Sequence, residues 1–498
     1  MIPSLCSILN KRWHFKMALV NPNFSRKVAM TKSRTRAQLV HSSIQQNALH
    51  SNPNNGAAPV NGLLAVHSWQ AVSKSCLVSA CHLHCASNRK QWRVMKILTV
   101  IASLSLLGPA AIYAKDWLYF TGPTYTNAST ETGWNASWSD DGPKMAWKAQ
   151  LGKGASSFTV KGNRVLTSGN VKDQDIVWCL DLSSGDVIWK TAFDCKFEKR
   201  MFDGGTAATP TIDGDRVYNL SYDGQLHCLS LKDGKILWKK HLMEDFGGKL
   251  SSWKYATSPL VLGDLVILDV GGNGNSTLAL NKTTGAKVWG NGNENAGYAT
   301  PVPITHRGKP AVVLFKGKHL VAHDLKSGKR LWSLDWETSY DVNASSPVPL
   351  PNNQLLVSSG YGGGRAVLLD ISGNTPKQLW RNDDIKTKMS SCVVHDGHVF
   401  AVCGDSGGKL FCVSLKSGKT VWEQKGFGFG TLTLVGDKLL AQSDKGNLVV
   451  AKATSEGYQS ISQAQILGNT CWVRPVLAHG YILSRNNKGN TVCLDVRS

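Results

Sequence analysis

The sequence predicts an all-β fold, an eight-bladed β-propeller of four-stranded antiparallel blades, and three observations carry that expectation. The 498 residues include 48 Gly and 17 Trp, a balance that favours turn-rich β structure over helices. A unit ending in an aromatic residue recurs every 36 to 51 residues from Trp189 to Tyr458. The last copy of that unit stops before its Trp, while an orphan strand of the same pattern stands ahead of the first.

Charge separates the amino end from the rest. Residues 1–94 hold 12 Lys or Arg and no Asp or Glu, so more than half of the net charge of +22 comes from under a fifth of the chain. The remainder carries 44 basic against 34 acidic side chains, without the concentrated basic face that phosphate recognition needs, which argues against nucleic acid as a partner. Residues 95–114 then read as a signal peptide: a basic start at Lys96, an apolar run from Ile97 to Leu107, and small residues up to Ala114. That run is too short to span a bilayer, which takes roughly 20 apolar residues. No Cys lies near the cleavage site, so a lipid anchor is not expected. These features predict an exported chain, periplasmic or extracellular, that begins at Lys115 after processing and has no transmembrane anchor. A 94-residue preface to a signal peptide reads as upstream sequence translated from a wrong start, with Met95 the true one; an organellar transit peptide is the rival reading. Cys81-His82-Leu83-His84-Cys85 has zinc-like spacing, but no second ligand pair accompanies it.

After an amino-terminal extension, 115–141, the repeats fill 142–498. Their ends read WCLDLSSGDVIW to Trp189, HCLSLKDGKILW to Trp238, LALNKTTGAKVW to Trp289, VAHDLKSGKRLW to Trp332 and FCVSLKSGKTVW to Trp422. A lengthened turn marks the copy ending at Trp380, and Tyr458 stands for Trp in a degenerate one. Upstream halves such as Thr209-Pro210 to Tyr218 read as strand, tight turn, strand, with Gly214 supplying the positive φ of the turn. Four short strands per unit make one blade, which cannot bury both faces alone and so stacks around an axis. The strand around Trp147 completes the final blade, giving eight blades of about 45 residues.

The repeat resembles the tryptophan-docking repeats of the PQQ-like, quinoprotein dehydrogenase-like propeller family over nearly all of 115–498. Asp116-Trp117 to Pro123 and the tail Ala464 to Trp472 further resemble secreted PQQ-repeat proteins of planctomycete-type bacteria. The resemblance implies a fold that hosts many functions. Its enzymes would imply pyrroloquinoline quinone (PQQ), a calcium held by acid and amide side chains, a general-base Asp and often an adjacent cysteine pair. This chain has no adjacent Cys pair and no Cys-x-x-Cys-His for a covalent haem.

Repeat Trp residues read as packing between blades rather than quinone stacking. Cys179, Cys228, Cys412 and Cys493 share one register position and read as small buried fillers, whereas Cys195, Cys392, Cys403 and Cys471 are open to disulfide formation. Candidates for a ligand face lie just ahead of the innermost strands: Trp253, Tyr255, Glu294, Asn295, Tyr298, Asp341, Asn343, Lys388, Trp472 and Arg474, with Lys386, Phe427 and Phe429 beside them. Such a set offers aromatic faces, carboxylates and a carboxylate-pairing Arg at one mouth. The reading is an exported, non-enzymatic binding or assembly scaffold with no catalytic or metal residue assigned, taking a protein, peptide or small molecule at its mouth; the alternative is a PQQ- and calcium-dependent alcohol or sugar dehydrogenase.

Overall fold

The computed structural model describes residues 116–199 and 203–498; the preface and the signal segment lie outside the described residues. Strands alternate apolar and polar side chains on the outside of each repeat, as in Val187–Asp194, and become apolar on both faces in its middle, as in Gln225–Ser230. A sheet with two apolar faces is stable only between two others. The chain accordingly forms eight twisted sheets: blade 1 (159–194), blade 2 (211–241), blade 3 (260–291), blade 4 (302–335), blade 5 (348–382), blade 6 (393–425), blade 7 (431–465) and blade 8 (476–495). In each, the first strand is innermost and its neighbours run antiparallel. The amino-terminal strand Lys144–Gln150 is the outermost strand of blade 8, paired with Asn490–Asp495. Among the described residues helix is confined to Leu242–Phe246 and a 3-10 turn at Ser339–Asp341.

Packing is concentrated between blades. Among the described residues there are eight apolar clusters, one per blade-to-blade interface; Trp189 of blade 1, for example, packs with Ile212, Val217 and Leu229 of blade 2. Each repeat Trp follows a one-residue bulge, and all but Trp380, which stands opposite Leu368, face a small residue of the adjoining strand: Trp147 opposite Cys493, Trp189 opposite Cys179, Trp238 opposite Cys228, Trp422 opposite Cys412. The bulge turns the indole toward the next blade. There its N–H donates to a backbone carbonyl: Trp147 to Leu182, Trp189 to Leu231, Trp289 to Leu325 and Trp380 to Leu415, at 2.7–3.0 Å. The turn glycine of the next blade lies flat on the ring. A Cβ on Gly185 would come within 2.7 Å of Trp147, and its φ of +77° is itself glycine-like. All eight described cysteines are buried thiols, including the four open to disulfide formation from sequence.

Two blades depart from the pattern. Trp332 leaves its indole N–H without a partner, because the matching carbonyl of Ile371, at the start of the lengthened turn of blade 5, bonds instead with the His306 ring at 2.9 Å. In blade 7 the expected Tyr-for-Trp exchange is corrected by the register. Ser462, opposite Val450 and past the bulge, holds the Trp position, while Tyr458 packs edge-on against Trp422 at 6.2 Å. The vacated space at the interface of blades 7 and 8 is filled by Trp134 and Trp138 of the amino-terminal extension, and Ser462 donates to the carbonyl of Ala136.

The same extension crosses the propeller axis. Trp117 exchanges backbone hydrogen bonds with Val160 of blade 1, the Leu118 carbonyl accepts from Ile212 of blade 2, and Asn127 reaches Cys392 and Leu434 of blades 6 and 7. Ala128–Ser129 adds a parallel strand to the inner strand Thr431–Val435. Inner strands otherwise leave unpaired backbone groups toward the axis, and this segment satisfies some of them in blades 1, 2 and 7.

Candidate functional site

Four residues ahead of each inner strand the chain meets the axis, on the side away from the crossing segment. Ala155, Ala207, Ala256 and Ala344 occupy that position in blades 1, 2, 3 and 5. Tyr298, Met389 and Trp472 occupy it in blades 4, 6 and 8, so the wall has small and bulky portions. In blade 7 the position is Phe427, which turns into the core.

A relay of hydrogen bonds holds this wall. Two residues further on stands a hydroxyl, and the backbone N–H of one blade donates to the hydroxyl of the next: Ser157 to Thr209, Thr209 to Ser258, Ser258 to Thr300, Thr300 to Ser346 and Ser346 to Ser391, all at 2.9–3.1 Å. The Ser/Thr-Pro pairs of the repeat thus tie blade to blade. The relay stops at blade 7, where Phe429 takes the hydroxyl's place, and blade 8 carries Arg474 there.

Together these residues enclose a funnel. Its outer chamber has a volume of ≈ 180 Å³ and is rimmed by Tyr222 and Tyr361 from turns between middle strands and by Trp253 and Lys254 from the loop between blades 2 and 3. An inner chamber of ≈ 100 Å³ shares Ala155, Tyr298, Met389 and Trp472 with it and ends on Phe120 of the crossing segment and Arg474. The rim aromatics pack on one another: Trp253 meets Tyr298 at 6.1 Å and the exposed Tyr340 at 6.2 Å, edge to face. Tyr340 and Asp341 both have positive φ, +67° and +56°, an arrangement costly for side chains of this kind. Lys254 pairs with Glu198 at 3.2 Å. Burial pushes the Tyr361 hydroxyl up to about 12, with Asp405 nearby adding to it.

The ten sequence candidates separate into groups. Trp253, Tyr298 and Trp472 line the outer chamber, and Arg474 closes the inner one. Lys388 stands behind the wall, paired with Asp405 at 2.8 Å and over the rings of Tyr361 and Phe429. Tyr255 is buried between blades 2 and 3 and donates its hydroxyl to Val270. Glu294 is bound to Arg330, Asp341 lies 3.8 Å from Lys318, and Asn295 is exposed. Asn343 is fully buried and donates its amide to the carbonyls of Lys316 and Gly317. Tyr222, Tyr361, Met389 and Phe120 also line the funnel, with Glu198, Val342 and Asn487 in the outer chamber. The four-residue offset from the inner strand could have located Met389, and an aromatic beside a turn Gly could have located the two tyrosines.

These donors do not form a calcium cage. Calcium takes six to eight oxygens. Among the described residues no three His, Cys, Asp or Glu stand close enough to hold a metal. The carboxylates of Glu294 and Asp341 face Arg330 and Lys318, and the amide of Asn343 is used by backbone. The chambers are also smaller than the ~300–1,000 Å³ of sites for drug-sized ligands. The residues present do not fit a tricyclic quinone held by calcium.

Repeat register, blade count and axial funnel define a PQQ-like β-propeller. The chain belongs to the PQQ-like repeat family described as outer membrane protein assembly factor BamB, whose model matches residues 124–226 and 196–424. No curated protein matches the chain in sequence. Among solved structures it is similar to BamB from Moraxella catarrhalis, at 14% identity over 71% of this chain and 97% of that one, with a TM-score of 0.52. It is also similar to the quinohemoprotein alcohol dehydrogenase of Comamonas testosteroni, at 14% identity over 78% and 82% of the two chains and a TM-score of 0.57. A europium-containing methanol dehydrogenase aligns at 13% identity over 76% and 89%, with a TM-score of 0.55. At such identities the likeness establishes the fold.

Proposed function

We propose that the chain is an exported PQQ-like propeller that acts as a non-enzymatic binding or assembly scaffold and receives a compact apolar group of its partner in the axial funnel. The observation that carries this reading is the funnel itself: aromatic and alanine walls, an aromatic rim, Glu294 and Asp341 committed to pairs outside it, and the lining Glu198 paired with Lys254. An assembly factor among the family's named members supports a protein partner. Export would proceed through residues 95–114, and amino-terminal sequencing of exported protein should begin at Lys115; residues from 1–94 in that protein would remove this part of the proposal.

The dehydrogenase reading draws on the named activity of the Comamonas protein. The deciding experiment reconstitutes the purified protein with PQQ and calcium and follows reduction of an artificial dye by alcohols and aldoses, in parallel with Asp341→Ala and Glu294→Ala. No PQQ-dependent reduction is expected. Reduction that requires PQQ and vanishes in either variant would establish the dehydrogenase instead.

A further inference from the structure

Arg474 occupies the one blade-8 position where six other blades place a relay hydroxyl or its equivalent, and this puts a guanidinium at the closed end of an apolar funnel. The residue is only 3% exposed. Among the described residues the guanidinium makes one hydrogen bond, from Nη1 to the carbonyl of Phe120 at 3.1 Å; Nε is buried without a partner, and no carboxylate lies within ion-pair distance. The Phe120 ring sits 5.0 Å from the guanidinium carbon. Burial pushes the group down to about 9, which leaves it protonated at neutral pH. A second buried arginine is better served: Arg485 also leaves Nε without a partner, but its two Nη groups donate three hydrogen bonds, to Thr167, Ser168 and Gly152. A charged group taken from water without compensating partners is strongly unfavourable, and an arginine presents five donors suited to a carboxylate.

We infer that the funnel is a carboxylate site: Arg474 pairs with the carboxylate of a ligand whose compact apolar body, of the size of one aromatic or branched side chain, lies against Tyr298, Met389 and Trp472. This rests on the binding reading above and specifies its ligand. The charge selects a single anion at the floor. The inner chamber beside the guanidinium is only ≈ 100 Å³, so the part of the body next to the carboxylate is compact. The same chemistry is offered by a free aryl-alkanoic acid and by the carboxyl terminus of a chain ending in an apolar residue.

The test is titration of the purified protein, by calorimetry and by the fluorescence of the site tryptophans, with 3-phenylpropionate and its neutral amide. A second pair, acetyl-Gly-Gly-Phe with a free and with an amidated terminus, distinguishes a chain end from a free acid. The acid should bind at least tenfold more tightly than its amide, since a hydrogen bond to an ionised group is roughly twice as strong as one between neutral groups. Arg474→Gln should erase that preference and leave the amide's affinity in place. Binding by the phenylpropionate alone identifies a free acid, and binding by both acids a chain end that the funnel also admits; either supports the inference. Equal affinities for acid and amide, no binding by either acid, or a preference that survives Arg474→Gln would overturn it. Should Arg474→Gln not fold, the acid and amide comparison on the unaltered protein decides. The dye assay judges the non-enzymatic reading separately, so one can fail without the other.

Discussion

Trp147, from the amino-terminal strand, donates its indole N–H to the carbonyl of Leu182 at 2.8 Å, joining blade 8 to blade 1. The ring also packs on Gly185 of the same turn and is only 7% exposed. Residues 35 apart in sequence thus close a circle whose last blade is made from both ends of the chain. Closure removes the two blade faces and the strand edge that an open array would leave exposed.

The contrast between Trp147 and Trp332 isolates the indole hydrogen bond from the packing. Trp147→Phe keeps most of the ring but leaves the Leu182 carbonyl with only the weak Cys493 thiol donor; Trp332→Phe has no such bond to lose, because Ile371 is engaged by His306. Trp147→Phe should therefore cost about 1 kcal/mol more than Trp332→Phe in denaturant unfolding. Equal losses would mean that the bond adds nothing beyond packing.

Deleting residues 115–152 removes the outer strand of blade 8, the indoles filling the Ser462 position and the segment across the axis together. The expected loss is on the order of 5 kcal/mol or more, comparable to the whole stability of many domains. Thermal unfolding at the temperature of the longer chain would contradict the closure argument.

Blade number, blade composition and the closing strand are legible in the sequence because each repeat carries its own punctuation: a turn Gly, a small residue and a Trp at fixed offsets. Blade 7 misleads because its aromatic residue, Tyr458, lies before the bulge, and only strand register shows that Ser462 holds the position. The filling of that gap by Trp134 and Trp138 is a contact over more than 300 residues, which no local pattern encodes. At the funnel, Trp253, Tyr298, Trp472 and Arg474 follow from their place ahead of inner strands. Polar residues in the same stretches mislead, since Asn343 and Glu294 serve backbone carbonyls and Arg330. Residue type alone does not tell a side chain that faces the axis from one that braces a loop.

Two buried histidines give the fold an acid sensitivity whose sign can be worked out. His323 bonds with the Gly328 carbonyl at 3.0 Å and with the Thr277 hydroxyl at 3.3 Å, and His227 stacks on Phe193 at 4.1 Å. Burial pushes both rings down to about 4 from the ordinary 6.5. Between those values the unfolded chain takes up protons that the folded chain refuses, so stability rises with pH and is lost as pH falls from about 6.5 toward 4. Asp175 acts in the opposite sense: burial raises it to about 6, so the folded chain holds a proton that the unfolded one releases, and stability is lost as pH rises through 4 to 6. Replacing both rings, His227→Gln with His323→Gln, should lessen the stability lost between pH 7 and pH 4.5 by roughly 2 kcal/mol per ring, read as the difference in unfolding free energy at the two pH values. A double variant that loses as much stability over that interval as the unaltered protein would show that the rings are not held neutral in the fold.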